Sequence, residues 1–577
     1  AAAIPVQINT TKPEFEGDYT IVLFSLVKLA KKSPEALGAE IGARFTETNK
    51  DLVTGFNVIK GFLNLLISDE YWTGLLNKNY NDTCYGKKEL NQKKVMVEYS
   101  SPNTNKPIHL GHLRNNFLGW SMAEIYKASG YEVIKTCIVN DRGIHICKSM
   151  LAWQLFGNGA TPESTGLKGD HLVGHYYVLF SNAYKEEVEQ LVAGGMNKEQ
   201  AEKEAHIMKA AQEMLLKWEQ GDPETIALWK TMNQWVYAGF DETYKKIGSD
   251  FDKIYYESDT YLLGKEIVQQ GLEKGVFYKK DDGSVWINLE ADGLDEKLLL
   301  RKDGTSVYIT QDIGLAQQKY EQYHPDHSIY VVGNEQDYHF QVLKLISMKL
   351  GIPASENIYH LSYGMVELPS GKMKSREGTV VDADDLLDEI TTAVAHEAAE
   401  RDKEKAESVL KKMDEEEKKQ LFHTLALGAM KFYLLRVQPK KRMVFDPTES
   451  IDLHGFTGPY IQYAYTRTCS VIRKAENTEL DVNAPATPLL PLEKELLILL
   501  EQYEGILEEA VQAQDPSVVA NYIYQVAKTF NSFYTEHKFL DAETPGKQWL
   551  RLRINNMTGV VIKSAMKLLG IDVPERM

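Results

Sequence analysis

The chain has 577 residues, 43% hydrophobic, 25% charged and 10% aromatic, and a formal charge of −17. That is the make-up of a soluble globular protein of roughly three or four domains. The acidic balance restricts any nucleic-acid partner to local basic patches, because phosphate affinity follows contacts and not net charge. No run of about 18 apolar residues is present, so no transmembrane helix is expected. The opening "AAAIPVQINT" lacks the basic-then-apolar pattern of a secretory signal. The cysteines Cys84, Cys137, Cys147 and Cys469 form no CxxC pair. This favours a reducing cytoplasm over a disulfide framework or a zinc knuckle.

Residues 1–88 read as a small α+β module: "TIVLFSLVKLAKKS" has helical spacing and "NVIKGFLNLLIS" is strongly apolar. The basic "GKKELNQKK" (86–94) reads as a linker. "VMVEYSS" (95–101) is strand-like by its β-branched run. A helix is predicted from about His109 to Ala128, stopped by Gly130, and "YEVIKTCIVND" (131–141) is a second strand. Strand, helix and strand in that order predict a βαβ unit in a parallel sheet.

Residues 150–250 read as a charged helical insertion. Strand-like segments return at 253–258, 284–289, 328–335 and 358–368. The mixed-charge stretch 398–419 predicts an exposed helix, and from about 440 the chain reads as helical. The fold class expected is α/β: a Rossmann-type parallel-sheet catalytic domain over 89–438, with helical insertions. An N-terminal α+β module precedes it and an all-α domain over 439–577 follows.

The stretch "NTNKPIHLGHLRN" (103–115) concentrates chemistry. Pro107 suits a helix approach, and His109 and His112 share a face of the first turn. Gly111 removes a side chain where a ligand could approach. A helix start attracts phosphate, and imidazole N–H donors add to that pull. Chance surface histidines are an even competitor, since short motifs have many false matches. Zinc is weaker, for lack of a third ligand at usual spacing. His171 and His175 share a helix face but also lack a third ligand, so a structural role is the default. No protein-bound structural metal is expected.

The longer run "SSPNTNKPIHLGHLRNNFLG" resembles the HIGH region of class I aminoacyl-tRNA synthetases, and specifically of arginyl-tRNA synthetases. The resemblance continues through "NDRG" (140–143), "VYITQDIGLA" (307–316), "GNEQDYH" (333–339), "GMVELPSGKMKSREGTVV" (364–381) and "GPYIQYAYTR" (458–467). It implies two reactions: ATP, with Mg2+, activates L-arginine to arginyl-adenylate, and the 3′ end of tRNA(Arg) then takes the arginyl group. It also implies that tRNA is needed for activation, and a cytoplasmic monomer.

The resemblance places His109, Gly111 and His112 on the ATP phosphates. Its KMSKS signature appears as "KMKSR", with Ser375 where the second lysine belongs. Lys106, Lys372, Lys374 and Arg376 are the cations that could serve pyrophosphate instead. Carried over by position, Glu257, Tyr308 and Asp312 read the guanidinium. A selective site for five permanent donors needs carboxylates and aromatic faces, and Tyr308 and Asp312, four apart, align on one helical turn. Ser101, Asn103 and Gln336 match positions for the α-amino and α-carboxyl groups, and Glu98 orients them. Gly333, Asp337 and His339 fall at the ATP ribose. Gly364, Met365 and Val366 offer backbone groups to adenine.

Tyr460 and Tyr463 lie three apart after the basic "PKKR" (439–442), and aromatic platforms can stack unpaired bases. A core stripe is the competing reading. The resemblance puts this domain on the anticodon, with Tyr534 and Met577 as further tRNA contacts, and the N-terminal module at the tRNA elbow. The rivals are glutamine or glutamate specificity, a cytidylyltransferase, which shares HxGH, and a non-catalytic tRNA-binding paralogue.

Overall fold

The computed structural model describes residues 6–12, 14–369, 381–403, 410–476, 478, 481, 484–485 and 487–577. Lys372, Lys374 and Arg376 lie outside them.

The first module holds β1 (Ile8–Thr10), β2 (Tyr19–Val22), α1 (Phe24–Ala30), α2 (Pro34–Thr48), β3 (Val53–Ile59), β4 (Phe62–Ile67) and α3 (Asp69–Asn79). Its antiparallel sheet runs β1-β2-β4-β3. The helical spacing expected from residue 20 gives way here to a strand, and the helix begins only at Phe24. A short apolar run fits both periods. Pairing decides: Thr20 lies opposite Asn64 and its hydroxyl donates to the Asn64 Oδ1 at 2.6 Å.

The central unit opens with β5 (Lys94–Glu98), α4 (Leu110–Ala128) and β6 (Glu132–Val139). A helical excursion follows: α5 (Ile144–Phe156), α6 (Pro162–Thr165), α7 (Gly169–Ala193), α8 (Lys198–Glu204), α9 (His206–Glu219) and α10 (Pro223–Ile247). The chain returns through β7 (Lys253–Tyr256), α11 (Glu257–Thr260) and α12 (Leu263–Glu273). Next come β8 (Tyr278–Lys279), β9 (Val285–Ile287), β10 (Lys297–Leu300) and α13 (Tyr308–Tyr323). β11 (His327–Gly333), α14 (Asp337–Leu350), β12 (Ile358–Tyr363) and β13 (Val366–Glu367) complete this part.

Five strands form a parallel sheet ordered β12-β11-β5-β6-β7. The order reverses between β5 and β11, and in open α/β sheets that crevice, beyond the carboxyl ends, is where ligands bind. The strand expected over 284–289 is β9, which belongs to a separate antiparallel sheet, β10-β9-β8. The strand expected over 95–101 stops at Glu98, because Ser100 and Ser101 turn left-handed, with φ of 75° and 47°.

The helical remainder comprises α15 (Ala383–Lys403), α16 (Glu415–Leu435), β14 (Met443–Val444), α17 (Pro447–Ser450), α18 (Gly458–Ala475), α19 (Pro491–Glu501), α20 (Tyr503–Ala513), α21 (Ser517–Glu536) and α22 (Pro545–Leu568). The single helix expected across 398–419 is instead the end of α15 and the start of α16. Asp414 and Glu417 cap α16 reciprocally, at 2.8 and 2.9 Å, which fixes a new helix start. Between α19 and α22, Glu493 and Arg551 are fully buried and paired at 2.8 Å, and Lys547 also donates to Glu493. The first module rests on this bundle. The Tyr19 hydroxyl donates to Glu501 at 2.6 Å, and Lys494 pairs with Asp18 at 2.9 Å.

Candidate active site

The turn after β5 starts the site. Two consecutive non-glycine residues at positive φ are strained, and α4 holds them there. Asn115 Oδ1 accepts from the Ser100 N–H at 2.6 Å, and Asn116 Nδ2 donates to the Ser100 hydroxyl at 2.7 Å. The chain then crosses the sheet end. Asn103 is exposed, and its main chain bridges to Asn140 at the end of β6. Gly174 of α7 stands where a Cβ would come within 2.8 Å of Pro107 Cδ, so the excursion packs directly on the Lys106–Pro107 approach.

His109 caps α4, and its ring stacks on that of His112 with centroids 3.8 Å apart. The His109 N–H donates to His112 Nδ1 at 3.2 Å. His112 Nδ1 is therefore an acceptor, which places the ring proton on Nε2, free to donate to a ligand. Burial pushes the His109 pKa down to about 3, helped by Lys106, and pushes His112 well below the usual range, helped by His109 and Lys106. Burial also lowers Lys106. Two neutral imidazoles and the Lys106 side chain thus lie at the start of a helix, where the Leu110 N–H is already taken by Val381 O at 3.3 Å; imidazole donors at a helix start suit phosphate.

The segment beginning at Val381 lies against this pair. Ala383 N–H donates to Ile108 O at 2.9 Å, and His109 bridges Asp382. His171 pairs with Asp382 at 3.1 Å and Asp384 at 3.6 Å, Lys246 with Asp384 at 3.2 Å, and Lys168 with Asp384 and with Asp170 at 3.1 Å. Hydrogen bonds to Asp382 and Asp384 raise the His171 pKa to about 10. The ligand atoms of His171, Asp382 and Asp384 lie within 4.8 Å of one another. The sequence hid these carboxylates from His171, since they arrive from far down the chain. With Lys168 and Lys246 also pairing with Asp384, the group is an ion-pair cluster clamping the Asp382–Asp384 segment to α7 and α10.

The acidic end lies across the sheet. Glu257 opens α11, and Tyr308 opens α13 one turn before Asp312. Tyr308 is 77% exposed, and Asp312 Oδ2 meets His339 Nε2 at 2.6 Å. Burial pushes the Glu257 carboxyl up to about 7; Arg142 pulls the other way, and Asp141 and Asp312 add to the rise. A partly buried carboxyl this hard to ionise marks a place that an incoming cation would stabilise.

Sequence reasoning assigned no role to Asp141 and Arg142, although "NDRG" was in view. Asp141 is buried and accepts from the Ser258 N–H (2.8 Å) and hydroxyl (2.7 Å) and from the Tyr237 hydroxyl (2.8 Å), fixing the start of α11. The Arg142 guanidinium lies 4.1 Å from the Tyr261 ring centroid and 5.2 Å from that of Trp218, and pairs with Glu219 at 3.2 Å. Glu98, expected to orient the groups on the amino-acid head, is buried against Lys319, itself 2% exposed.

At the switch point, Gly333 ends β11, and a Cβ there would come within 2.5 Å of the Glu335 carboxylate. Gln336 and Asp337 are exposed at the turn into α14, and Asp337 meets His360 at 3.2 Å. Met365 is 48% exposed and Val366 is buried. Gly364 was expected to offer its backbone to a base. Instead its N–H donates to Pro439 O at 2.9 Å and its carbonyl accepts from Arg114 at 2.7 Å. It holds the chain in place.

In the helical unit, Tyr460, Tyr463, Arg467 and Lys528 line a pocket of about 420 Å³ between α18 and α21. Arg467 covers the rings of Tyr463 and Tyr534, with centroids 4.6 and 5.0 Å away, and donates to Asn531 at 2.6 Å. Arg467 and Lys528 went unnoticed in the sequence. Met577 sits apart, in a small apolar cavity with Leu425, Ile451 and Pro459.

Residues 75–446 match the family model of the tRNA synthetases class I (R) catalytic domain, and residues 461–577 that of the DALR anticodon binding domain. An arginine--tRNA ligase of Flavobacterium psychrophilum is 53% identical, covering 99% of this chain and 96% of its own length. One of Parabacteroides distasonis is 53% identical over 100% of this chain and 96% of its own. In fold, the chain is similar to Thermus thermophilus arginyl-tRNA synthetase (TM-score 0.80, 24% identity, 100% and 97% of the two chains). It is also similar to the Plasmodium falciparum synthetase (TM-score 0.76, 19% identity, 99% and 95%). With the parallel sheet, the histidine pair at its switch point and the helical unit beyond, the chain belongs to the class I tRNA synthetases of the arginine type.

Proposed function

We propose that this chain is an arginine–tRNA ligase working through the residues described above. A carboxylate oxygen of arginine attacks the α-phosphorus of ATP. The bond to pyrophosphate breaks and arginyl-adenylate forms. A hydroxyl of the tRNA terminal ribose then attacks the acyl carbon, and AMP leaves. No protein nucleophile takes part, so the chain's work is positioning and charge stabilisation. His112 donates from Nε2 to phosphate, and His109 and Gly111 shape the same cradle. Lys106 takes the place of the lysine missing at Ser375, alongside Lys372, Lys374 and Arg376. Mg2+ carried in with the nucleotide would supply charge neutralisation on its phosphates.

Glu257, Asp312 and Tyr308 receive the guanidinium. Ser101, Asn103 and Gln336 hold the amino-acid head, with Glu98 and Lys319 behind them. Gly333, Asp337 and His339 serve the ribose, and Met365 and Val366 the adenine. Tyr460, Tyr463 and Tyr534 stack anticodon bases, and Met577, in its separate apolar cavity, is a further tRNA contact. The reading includes unit boundaries near 88 and 438, a helical insertion over about 150–250, a tRNA requirement for activation, and a cytoplasmic monomer. No helix among the described residues is long and apolar enough to cross a membrane.

The observation that carries the substrate choice is Glu257, a partly buried carboxyl raised to about 7 by burial, with Asp141 and Asp312 adding to the rise. A cationic amino acid relieves that site, and glutamate would worsen it. ATP–pyrophosphate exchange with each amino acid, with and without tRNA, tests the reading. Exchange with arginine alone, and only when tRNA is present, is expected. Exchange with CTP or glutamate, or none under any condition, would sink it.

A further inference from the structure

Arg114 stands five residues after His109 on α4 and is fully buried. Among the described residues, its hydrogen-bond partners are all main-chain carbonyls. Nη1 donates to Gly364 O at 2.7 Å and Lys441 O at 2.9 Å; Nη2 donates to Pro439 O at 3.1 Å and Gln438 O at 3.3 Å. Burial lowers its pKa only to about 10, so the guanidinium remains charged at neutral pH. Burying a charge without an opposite charge is costly, and an apolar side chain of similar volume would fill the same space more cheaply. What a planar fork of donors adds is fixed geometry among several acceptors.

Those acceptors sit on both sides of one small element. β13 is two residues long and, among the described residues, pairs in parallel with the two-residue β14 alone, Val366 with Met443 and Glu367 with Val444. So short a pair does not hold itself. The Gly364 N–H donates to Pro439 O at 2.9 Å, and the Met443 N–H donates to Met365 O at 3.2 Å. A Cβ on Gly364 would come within 2.7 Å of the Lys441 carbonyl and Arg442 N, so the two segments touch backbone to backbone. Arg114 is the side chain that ties this double segment to the helix carrying the histidine pair.

We propose that Arg114 is a positioning residue for the adenosine subsite: by gripping the Gly364, Pro439 and Lys441 carbonyls, it sets the Met365–Val366 peptides at a fixed distance from His109 and His112. The inference rests on the proposed placement of adenine at Met365 and Val366. Arg114 touches no substrate. Its effect should fall on nucleotide recognition and spare the guanidinium end of the proposed arginine site, Glu257 on α11 and Tyr308 and Asp312 on α13.

The test uses full-length Arg114→Lys, Arg114→Met and Gly364→Ala, the last pushing the same peptide from the other side. Aminoacylation is measured with ATP and arginine varied separately, beside inhibition by adenosine and by inorganic tripolyphosphate. The KM for ATP should rise about ten-fold or more, as when a charged hydrogen bond is lost, with the KM for arginine within about two-fold. Adenosine inhibition should weaken in step, and tripolyphosphate inhibition should hold. Equal changes in both KM values, equal weakening of both inhibitors, or no change would overturn the proposal. So would unfolding of all three variants below the assay temperature, since Arg114 would then be a stability residue. A wild-type chain that charges no tRNA with arginine would instead refute the functional reading itself.

Discussion

Acidifying the assay from about pH 8 to pH 6 should raise the KM for arginine by about ten-fold, because only an ionised Glu257 can pair with a guanidinium. The carboxyl is pushed up to about 7 mainly by desolvation, against the pull of Arg142. The sign follows directly. Above 7 the group is charged in the empty pocket and binding costs no proton release. Below 7 it is protonated, and each further pH unit costs about ten-fold in affinity. His109 and His112 do not interfere, since both are neutral throughout that window. The assay is steady-state aminoacylation at saturating ATP and tRNA, with the KM for arginine followed between about pH 6 and 8.5. Glu257→Gln should raise that KM by about 10- to 100-fold, in line with a lost charged hydrogen bond, and abolish its slope with pH. A level profile in the wild type, or the same slope in the Gln variant, refutes the assignment.

Asp312→Asn should raise the KM for arginine by roughly 10- to 100-fold. The KM for ATP should move less, since His339 retains an oxygen to meet; equal effects would take Asp312 out of the arginine pocket. Arg467→Ala should weaken tRNA binding by about 5- to 100-fold, the range of one lost stacking platform, with turnover at saturating tRNA kept. An unchanged KM for tRNA would remove the pocket between α18 and α21 from the tRNA surface. His171→Asn tests the ion-pair cluster. The His171 pKa is raised to about 10, so its contribution to stability is complete below about 6.5 and fades as pH climbs through 10. The melting-temperature gap between wild type and variant should therefore be widest near pH 6 and narrow towards pH 10. A gap that widens with pH contradicts the pairing.

The parts legible in the sequence were those with a local period or a local spacing. The βαβ unit, the helix opened by His109 and the turn shared by Tyr308 and Asp312 all follow from residues within a few positions of each other. The supports were hidden for physical reasons. Arg114 grips carbonyl oxygens, which every residue has, so no residue pattern announces its partners. Asp141 is answered by Tyr237 and Ser258, and His171 by Asp382 and Asp384, across loops whose closure the sequence does not encode locally. The counter-ion of Glu98, Lys319, was hidden because it is distant in the chain. The N-terminal run 20–27 failed differently. Its residues satisfy strand and helix periods alike, and only the pairing with β4 chose between them.

The seating of the first module on the last helices has a topological consequence. Asp18, Tyr19 and Asp69 are bonded to Lys494, Glu501 and Leu489, and the Tyr80 carbonyl to Asn556. The polypeptide is in effect a closed loop, with the catalytic sheet strung between two ends that grip each other. A single cut in the 86–93 linker would leave the module attached through those side chains. The separation between the first module and the anticodon-binding helices is thus set by direct bonds between the two ends of the chain.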